Sequence, residues 1–278
     1  MENKFSKRIS YILITKNRAD SLDICLSQFK NIKKNNDELV IIDGESKDHT
    51  KQIINKYSDI VDIFISEPDS SSSEATNKGI VNSNGKYLKQ ITDDDIWYED
   101  GFEKAIKIMD NNPTLDMIVC GGIRKLDDKE TIIYVPPGAN YGSSVDDIFK
   151  NGFTASGMGV LFKNNLIYRT GLFEVDRHFA DMGFILRAFY LGAKVKFCRI
   201  NMFYHTLTKS SITVKDKEKY TLEYEYLLNR YCSENYKRIH RLKNMLWYKI
   251  IRFIPKMLIS IKKENDSAVI PVWDEGFS

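Results

Sequence analysis

No apolar run in the 278-residue sequence is longer than a strand; LVII at 39–42 is typical. A membrane-crossing helix needs roughly 18 or more such residues, so none is expected. The first eight residues are polar and lead straight into a strand, which does not read as a signal peptide, and the expected compartment is the cytoplasm. Cysteine is sparse: Cys25, Cys120, Cys198 and Cys232 are scattered with no CxxC pair, which argues against a structural zinc site or a disulfide framework and leaves them as core residues. Residues 16–20 (KNRAD), after the first strand, contain no glycine. That removes both the GxGxxG dinucleotide fingerprint of an oxidoreductase and a Gly-rich phosphate loop. A strong charge of either sign is missing as well, since the net is +3. Nine of the 41 Lys and Arg lie within 236–263, where there is no acid, so the rest of the chain holds 32 bases against 38 acids, a net of −6. The basic excess belongs to a tail, and a nucleic-acid-binding face is not expected.

What is present is a regular alternation of short apolar runs and helix-length segments. Strands are expected at 9–15, Glu38–Asp43, 61–66 and 86–92, with helices at 19–30, 50–57, 73–82 and Glu99–Asn111 between and after them. In the first helix Leu22, Cys25, Leu26 and Phe29 share one face. Such an order builds a parallel sheet covered on both faces. Further strands are expected at 116–123, 131–135, 160–162, 195–198 and 202–204, loops around 136–138 and 152–159, a helix at 179–191, and helical structure from 216 onward.

Open parallel sheets bind ligands at the carboxyl ends of their strands. Here those ends read Thr15-Lys16-Asn17, Asp43-Gly44-Glu45-Ser46, Glu67-Pro68-Asp69 and Asp93-Asp94-Asp95, which gathers polar and acidic groups along one edge. Three adjacent carboxylates repel one another unless a cation or water offsets them. Hard oxygen ligands of this kind suit Mg²⁺ or Mn²⁺ bridging to a substrate's phosphates. A solvated turn leading into the helix at 99 is the alternative.

The order of these pieces resembles family 2 glycosyltransferases of the GT-A fold, like those that assemble bacterial capsule, O-antigen and colanic-acid polysaccharides. The resemblance rests on Ile14-Thr15-Lys16-Asn17-Arg18, then Asp43-Gly44-Glu45-Ser46-Lys47-Asp48-His49-Thr50, Ser66-Glu67-Pro68-Asp69, Ala75-Thr76-Asn77-Lys78-Gly79 and Gly85-Lys86-Tyr87 running to Asp95, and it covers roughly residues 8–205. It implies a GT-A domain over 1–213, a Rossmann-like nucleotide-binding half with a mixed, mainly parallel sheet covered by helices, and a C-terminal helical extension over 214–278. It implies an inverting, hexosyltransferase-like enzyme using Mn²⁺ or Mg²⁺. The donor would be a nucleotide-diphosphate sugar, UDP-linked by preference, and the acceptor a saccharide or lipid-linked saccharide. By position, Thr15, Asn17, Arg18, Asp43, Asp69 and Asp93 would hold the nucleoside and ribose, with Asp43 reading the base; capping of the following helix is the other role for Asp43. Asp94, with Asp95 beside it, would hold the metal.

The segment from Gly171-Leu172-Phe173-Glu174 to Asp181 and Leu186-Arg187 resembles the family's Gly-x-Phe, Asp, Leu-Arg pattern, which makes Asp181 the general base; a carboxylate favoured by a helix N-terminus is the plain alternative. Tyr204-His205-Thr206 with Ser210-Ser211 matches a late segment that closes over donor phosphates, giving His205 a metal or diphosphate role or simple packing. Two departures stand out: Thr92, where the family often has Asp or Asn, and Ser71-Ser72-Ser73-Glu74, where relatives often carry Gly, apolar, Tyr, Asp. The stretch 245–261 mixes Trp247, Tyr248 and Phe253 with Lys249, Arg252 and Lys256. It reads either as an interfacial segment on the anionic inner face of the plasma membrane, or as helices packed on the catalytic domain. A catalytically silent nucleotide-sugar binder and a sugar nucleotidyltransferase are the competing functions. Donor sugar, acceptor, linkage and oligomeric state are not encoded legibly.

Overall fold

The computed structural model describes residues 5–126, 129–133, 144–150, 157–177, 179–207 and 217–242. The loop at 136–138, Ser210-Ser211 and the stretch 245–261 lie outside them. Two compact units are distinguished, Met1–Cys232 and Ser233–Ser278. In the second, 234–242 is helical.

In the first unit the chain begins β1 (Lys7–Thr15), α1 (Ala19–Ile32), β2 (Glu38–Asp43), α2 (Thr50–Lys56), β3 (Ile63–Ser66), α3 (Ser72–Val81), β4 (Gly85–Thr92), β5 (Ile96–Trp97) and α4 (Glu99–Asn111). It continues β6 (Met117–Leu126), β7 (Lys129–Ile133), α5 (Val145–Lys150), β8 (Val160–Lys163), α6 (Ile167–Thr170), α7 (Ala180–Tyr190), β9 (Val195–Leu207) and a last helix, Lys217–Tyr231. Among the described residues nine strands form one sheet in the order β3-β2-β1-β4-β8-β6-β9-β5, with β7 paired to β6. The run β3-β2-β1-β4 is parallel throughout, as the strand–helix alternation requires. Beyond β4 the sheet is mixed: β8 is antiparallel to β4 and β6, β9 parallel to β6.

Burial explains these elements. All six residues of β2 are buried. On β1, Ile9, Tyr11 and Leu13 point into the main core with Leu22, Leu26 and Phe29 of α1 and Phe102, Ile106 and Met109 of α4. The other parity serves a smaller cluster, where Val40, Ile42 and Ala75 gather with Ile14, Ile63 and Ile65 around them. Each fully buried Leu, Ile or Phe contributes about 1.5–3 kcal/mol, so α1 is held by its inward face rather than by helix propensity. At α3, the Ser71 hydroxyl accepts from Glu74 N–H at 3.2 Å and the Glu74 carboxylate accepts from Ser70 N–H at 2.8 Å, which satisfies the first turn.

Several elements, the short α6 among them, differ from expectation. The strands expected at 195–198 and 202–204 are one continuous β9, because register shifts against β6 near Cys120, Gly121 and Ile123 absorb the polar break at Arg199–Asn201. The two-residue β5 pairs with β9 through Ile96 and Trp97, where only a turn was expected. Helix α5 was not expected at all.

The strand order fixes where a ligand can sit. From β1 the chain moves to β2 and β3 on one side, then returns through α3 to β4 on the other. A crevice therefore opens between the carboxyl ends of β1 and β4, the topological switch point of an open α/β sheet.

Candidate active site at the switch point of the sheet

At that crevice lies a cleft of about 340 Å³, lined by Ile14, Thr15, Lys16 and Arg18 at and beyond the end of β1, Thr92, Asp93 and Asp94 at and beyond the end of β4, and Asp69, Ser72 and Ala75 before and within the start of α3. The volume is within the usual range for small-molecule sites, about 300–1,000 Å³.

The three adjacent carboxylates do not share one space. Asp93 is buried, accepting from the Thr15 hydroxyl at 2.6 Å and from Arg18 Nη1 at 3.2 Å. Burial pushes its pKa up, against the opposing pull of Thr15 and Arg18. Asp94 is half-exposed and pairs with the same Arg18 nitrogen. Asp95 is buried and turned elsewhere: its oxygens take the Thr92 hydroxyl and His205 Nδ1. Repulsion among the three is relieved because each finds its own donor, and Arg18 neutralises the two that open on the cleft. Burial alone would lower the Arg18 pKa, but its bonds to Asp94 and Asp93 leave it raised.

The loop beside the cleft is stitched by Asn17 and Asp43. Asn17 sits in the left-handed region at φ 53°, which asparagine tolerates. Its N–H donates to the Ser46 hydroxyl at 2.7 Å and its side-chain oxygen accepts from Lys47 N–H at 2.7 Å. Asp43 is fully buried and lies behind the cleft wall. Its carboxylate accepts from Ser46 N–H at 3.1 Å, from the Ser46 hydroxyl, and from the Ser66 hydroxyl at 2.7 Å. The following helix is capped by Asp48, not Asp43: Thr50 N–H donates to Asp48 at 3.0 Å. Asp69 faces the cleft with Lys16 at 3.5 Å. Gly44 admits it, since a Cβ there would come within 2.3 Å of an Asp69 carboxylate oxygen. Removing the buried Asp43 carboxylate leaves several donors unpaired. Asp43→Ala is expected to lower stability by about 1–3 kcal/mol, measured by urea unfolding; an unchanged midpoint would deny it the anchoring role.

Asp181 lies in the first turn of α7 and borders a second, much smaller cavity with Gln90, Gly157, Val160, Phe162, Phe173 and Phe184. Its oxygens accept from Gly157 N–H and Met182 N–H, each at 2.7 Å. A carboxylate has about four lone-pair positions, so acceptor capacity remains. Gln90 of β4 borders this cavity and Thr92 borders the cleft. Residues i and i+2 share a face, so the two cavities lie on one side of β4, displaced by roughly 7 Å along it.

The expected residues are thus placed in three groups. Thr15, Arg18, Asp69, Asp93 and Asp94 line the cleft; Asn17 and Asp43 brace the loop beside it; Asp95 and His205 pair away from it. Asp181 stands further along β4. Lys16 and Ser72, named in the sequence without a role, also line the cleft; Gln90 and Gly157 were not foreseen. Strand parity could have found Gln90, which shares the Thr92 face. Among the described residues no three or more His, Cys, Asp or Glu cluster so as to hold a metal alone. The two adjacent cleft carboxylates that follow β4, Asp93 and Asp94, still fit Mg²⁺ or Mn²⁺, which complete their shells with water and substrate phosphates.

The family model described as Glycosyl transferase family 2 matches residues 10–175, from within β1 to beyond α6. The chain belongs to glycosyltransferase family 2. An uncharacterized glycosyltransferase of Rickettsia prowazekii is 29% identical over 182 residues, covering 62% of this chain and 55% of that protein. Among solved structures, Staphylococcus aureus TarS 1–349 in complex with UDP-GlcNAc superposes with a TM-score of 0.62 at 15% identity, covering 83% of this chain and 69% of that one. The Pyrobaculum calidifontis mannosyltransferase PcManGT, in complex with GDP-Man and Mn²⁺, gives 0.58 at 16% identity, covering 74% and 59%. The fold is GT-A, and the cleft occupies the sheet edge that follows the family's opening strands. The chain thus spans about half the length of its Rickettsia relative. No helix among the described residues is long and apolar enough to cross a membrane.

Proposed function

We propose that this glycosyltransferase-family chain transfers a sugar, with inversion, from a nucleotide-diphosphate donor to an acceptor hydroxyl in bacterial surface polysaccharide or glycolipid synthesis. One observation carries the reading: Asp93 and Asp94 open on a cleft at the switch point, and a further carboxylate, Asp181, borders a second cavity that Gln90 of β4 also lines, two residues before the cleft's Thr92. Thr15, Arg18 and Asp69 would hold the nucleoside, over the loop that Asn17 and Asp43 brace. Asp94, with Asp93 beside it, would hold Mn²⁺ or Mg²⁺, while Asp95 and His205, expected as ligands, pair with each other away from the cleft. When bound, that ion neutralises charge on the departing diphosphate.

The chain's own work is to align and deprotonate. Asp181, steadied by two backbone N–H groups, accepts the proton of the attacking hydroxyl. Its place on the same face as the cleft sets the hydroxyl in line with the bond being broken. Ser72, where relatives often carry an apolar residue, gives this chain a smaller and more polar wall beside the donor.

Of the two bases in the solved neighbours' ligands, uracil is proposed. In a thermal-shift panel, UDP with Mn²⁺ is expected to raise the unfolding midpoint by on the order of 5–10 °C near saturation, more than GDP with Mn²⁺ or either component alone. A larger shift with GDP would reassign the base. No shift with any nucleotide or sugar nucleotide would remove the donor assignment altogether.

A further inference from the structure

Lys89 is fully buried on β4, on the face that carries Tyr87 and Ile91 into the main core, where Trp97 of β5 joins them. Burying an ammonium there is costly, and a leucine or methionine would fill the space. Its hydrogen bonds go to carbonyls: Nζ donates to Gln90 O and to Met158 O, both at 2.6 Å, and lies 4.7 Å from the centre of the Trp97 ring. Burial pulls its pKa down to about 7, with Cys120 and then Asp95 acting the other way.

The place of these bonds is informative. β4 pairs with β8 only at Tyr87 and Leu88. At the next residue the neighbouring ladder has ended, and a single helical turn, Gly157–Gly159, lies there instead. Lys89 ties β4 to that turn through Met158. The same turn meets Asp181: Gly157 N–H donates to its carboxylate at 2.7 Å, and a Cβ on Gly157 would lie 2.6 Å from the Asp181 Cβ. The second carbonyl it grips belongs to Gln90, whose side chain borders the Asp181 cavity.

We infer that Lys89 is a positioning residue for the general base: its buried ammonium fixes the turn Gly157–Gly159, and the turn's N–H orients the Asp181 carboxylate. The inference rests on the general-base reading of Asp181 above. A charge-assisted bond to a carbonyl is short and directional, which an apolar filler cannot supply.

The test is steady-state kinetics on the full chain with Lys89→Met, Gly157→Ala, the double variant and Asp181→Asn, alongside calorimetric binding of UDP with Mn²⁺. Lys89→Met is expected to lower kcat about 10- to 100-fold per folded molecule, as a misplaced catalytic group does, with donor KM and UDP binding within about twofold. Gly157→Ala, which disturbs the same junction from its other end, should give the same split. The double variant should lose less than the product of the two. A role in stability alone would lower the unfolding midpoint and leave kcat per folded molecule intact, which overturns the inference. So would multiplicative losses in the double variant. If Lys89→Met does not fold, Gly157→Ala decides, and wild-type kcat there is fatal. Wild-type turnover in Asp181→Asn would bring down the general-base reading and this inference together, whereas an inactive Asp181→Asn beside a fully active Lys89→Met overturns the inference alone.

Discussion

Asp181→Asn is expected to lower kcat by about 10²- to 10⁴-fold, the span attributed to a positioned general base, while donor KM changes little. The substitution keeps shape and volume and removes the one capacity at issue, that of taking a proton. One local bond suffers: the amide oxygen can still accept from Gly157 or Met182 N–H, but the amide NH2, itself a donor, would face the other N–H, where the carboxylate oxygen accepted. Asp181 is partly exposed, so the fold should survive that loss. Circular dichroism and UDP binding check that it does. Turnover close to wild type with a competent acceptor would assign the proton transfer to another group and leave Asp181 as a carboxylate at a helix N-terminus.

The parallel half of the sheet was legible because its signals are local. Apolar runs of strand length, such as the six residues of β2, alternate with one-faced helices such as α1, and no arrangement but a covered parallel sheet buries both. The strand ends followed from that, and with them Thr15, Asp69, Asp93 and Asp94; Arg18 came only from the family resemblance. What the sequence concealed depends on pairing across distance. β9 looked like two strands because Arg199 and Asn201 are polar, and only its bulged register against β6 shows how the chain runs through them. The division of the acidic cluster was hidden for a similar reason: that Asp95 turns to His205 depends on β9 arriving 110 residues later. Asp43 reads from the sequence as a base contact or a helix cap at a strand end, yet two serines, one from the next strand's end, enclose it. Lys89 was invisible as a functional residue because a lysine in an apolar strand signals an exposed face. Here the ladder beside it ends and supplies carbonyls instead.

Asp94→Ala is expected to lower kcat by about 10³-fold and to abolish the gain in UDP affinity that Mn²⁺ confers. The contrast with Asp43 is instructive, since both are strand-end aspartates. Asp43 is buried with its donors around it, so its removal acts on the fold. Asp94 is half-exposed at the mouth of the cleft, and its partner Arg18 keeps a second acceptor in Asp93. Its loss should therefore change stability by no more than about 0.5 kcal/mol. Calorimetry separates the effects: UDP alone should bind the variant as it binds the wild type, because the nucleoside contacts are proposed for Thr15, Arg18 and Asp69, and only the increment from manganese should vanish. Should that increment persist at full size, the ion would have to be held without Asp94. Asp93 would then be the remaining cleft carboxylate, and Arg18, shared between the two acids, would have to leave it for the ion to enter.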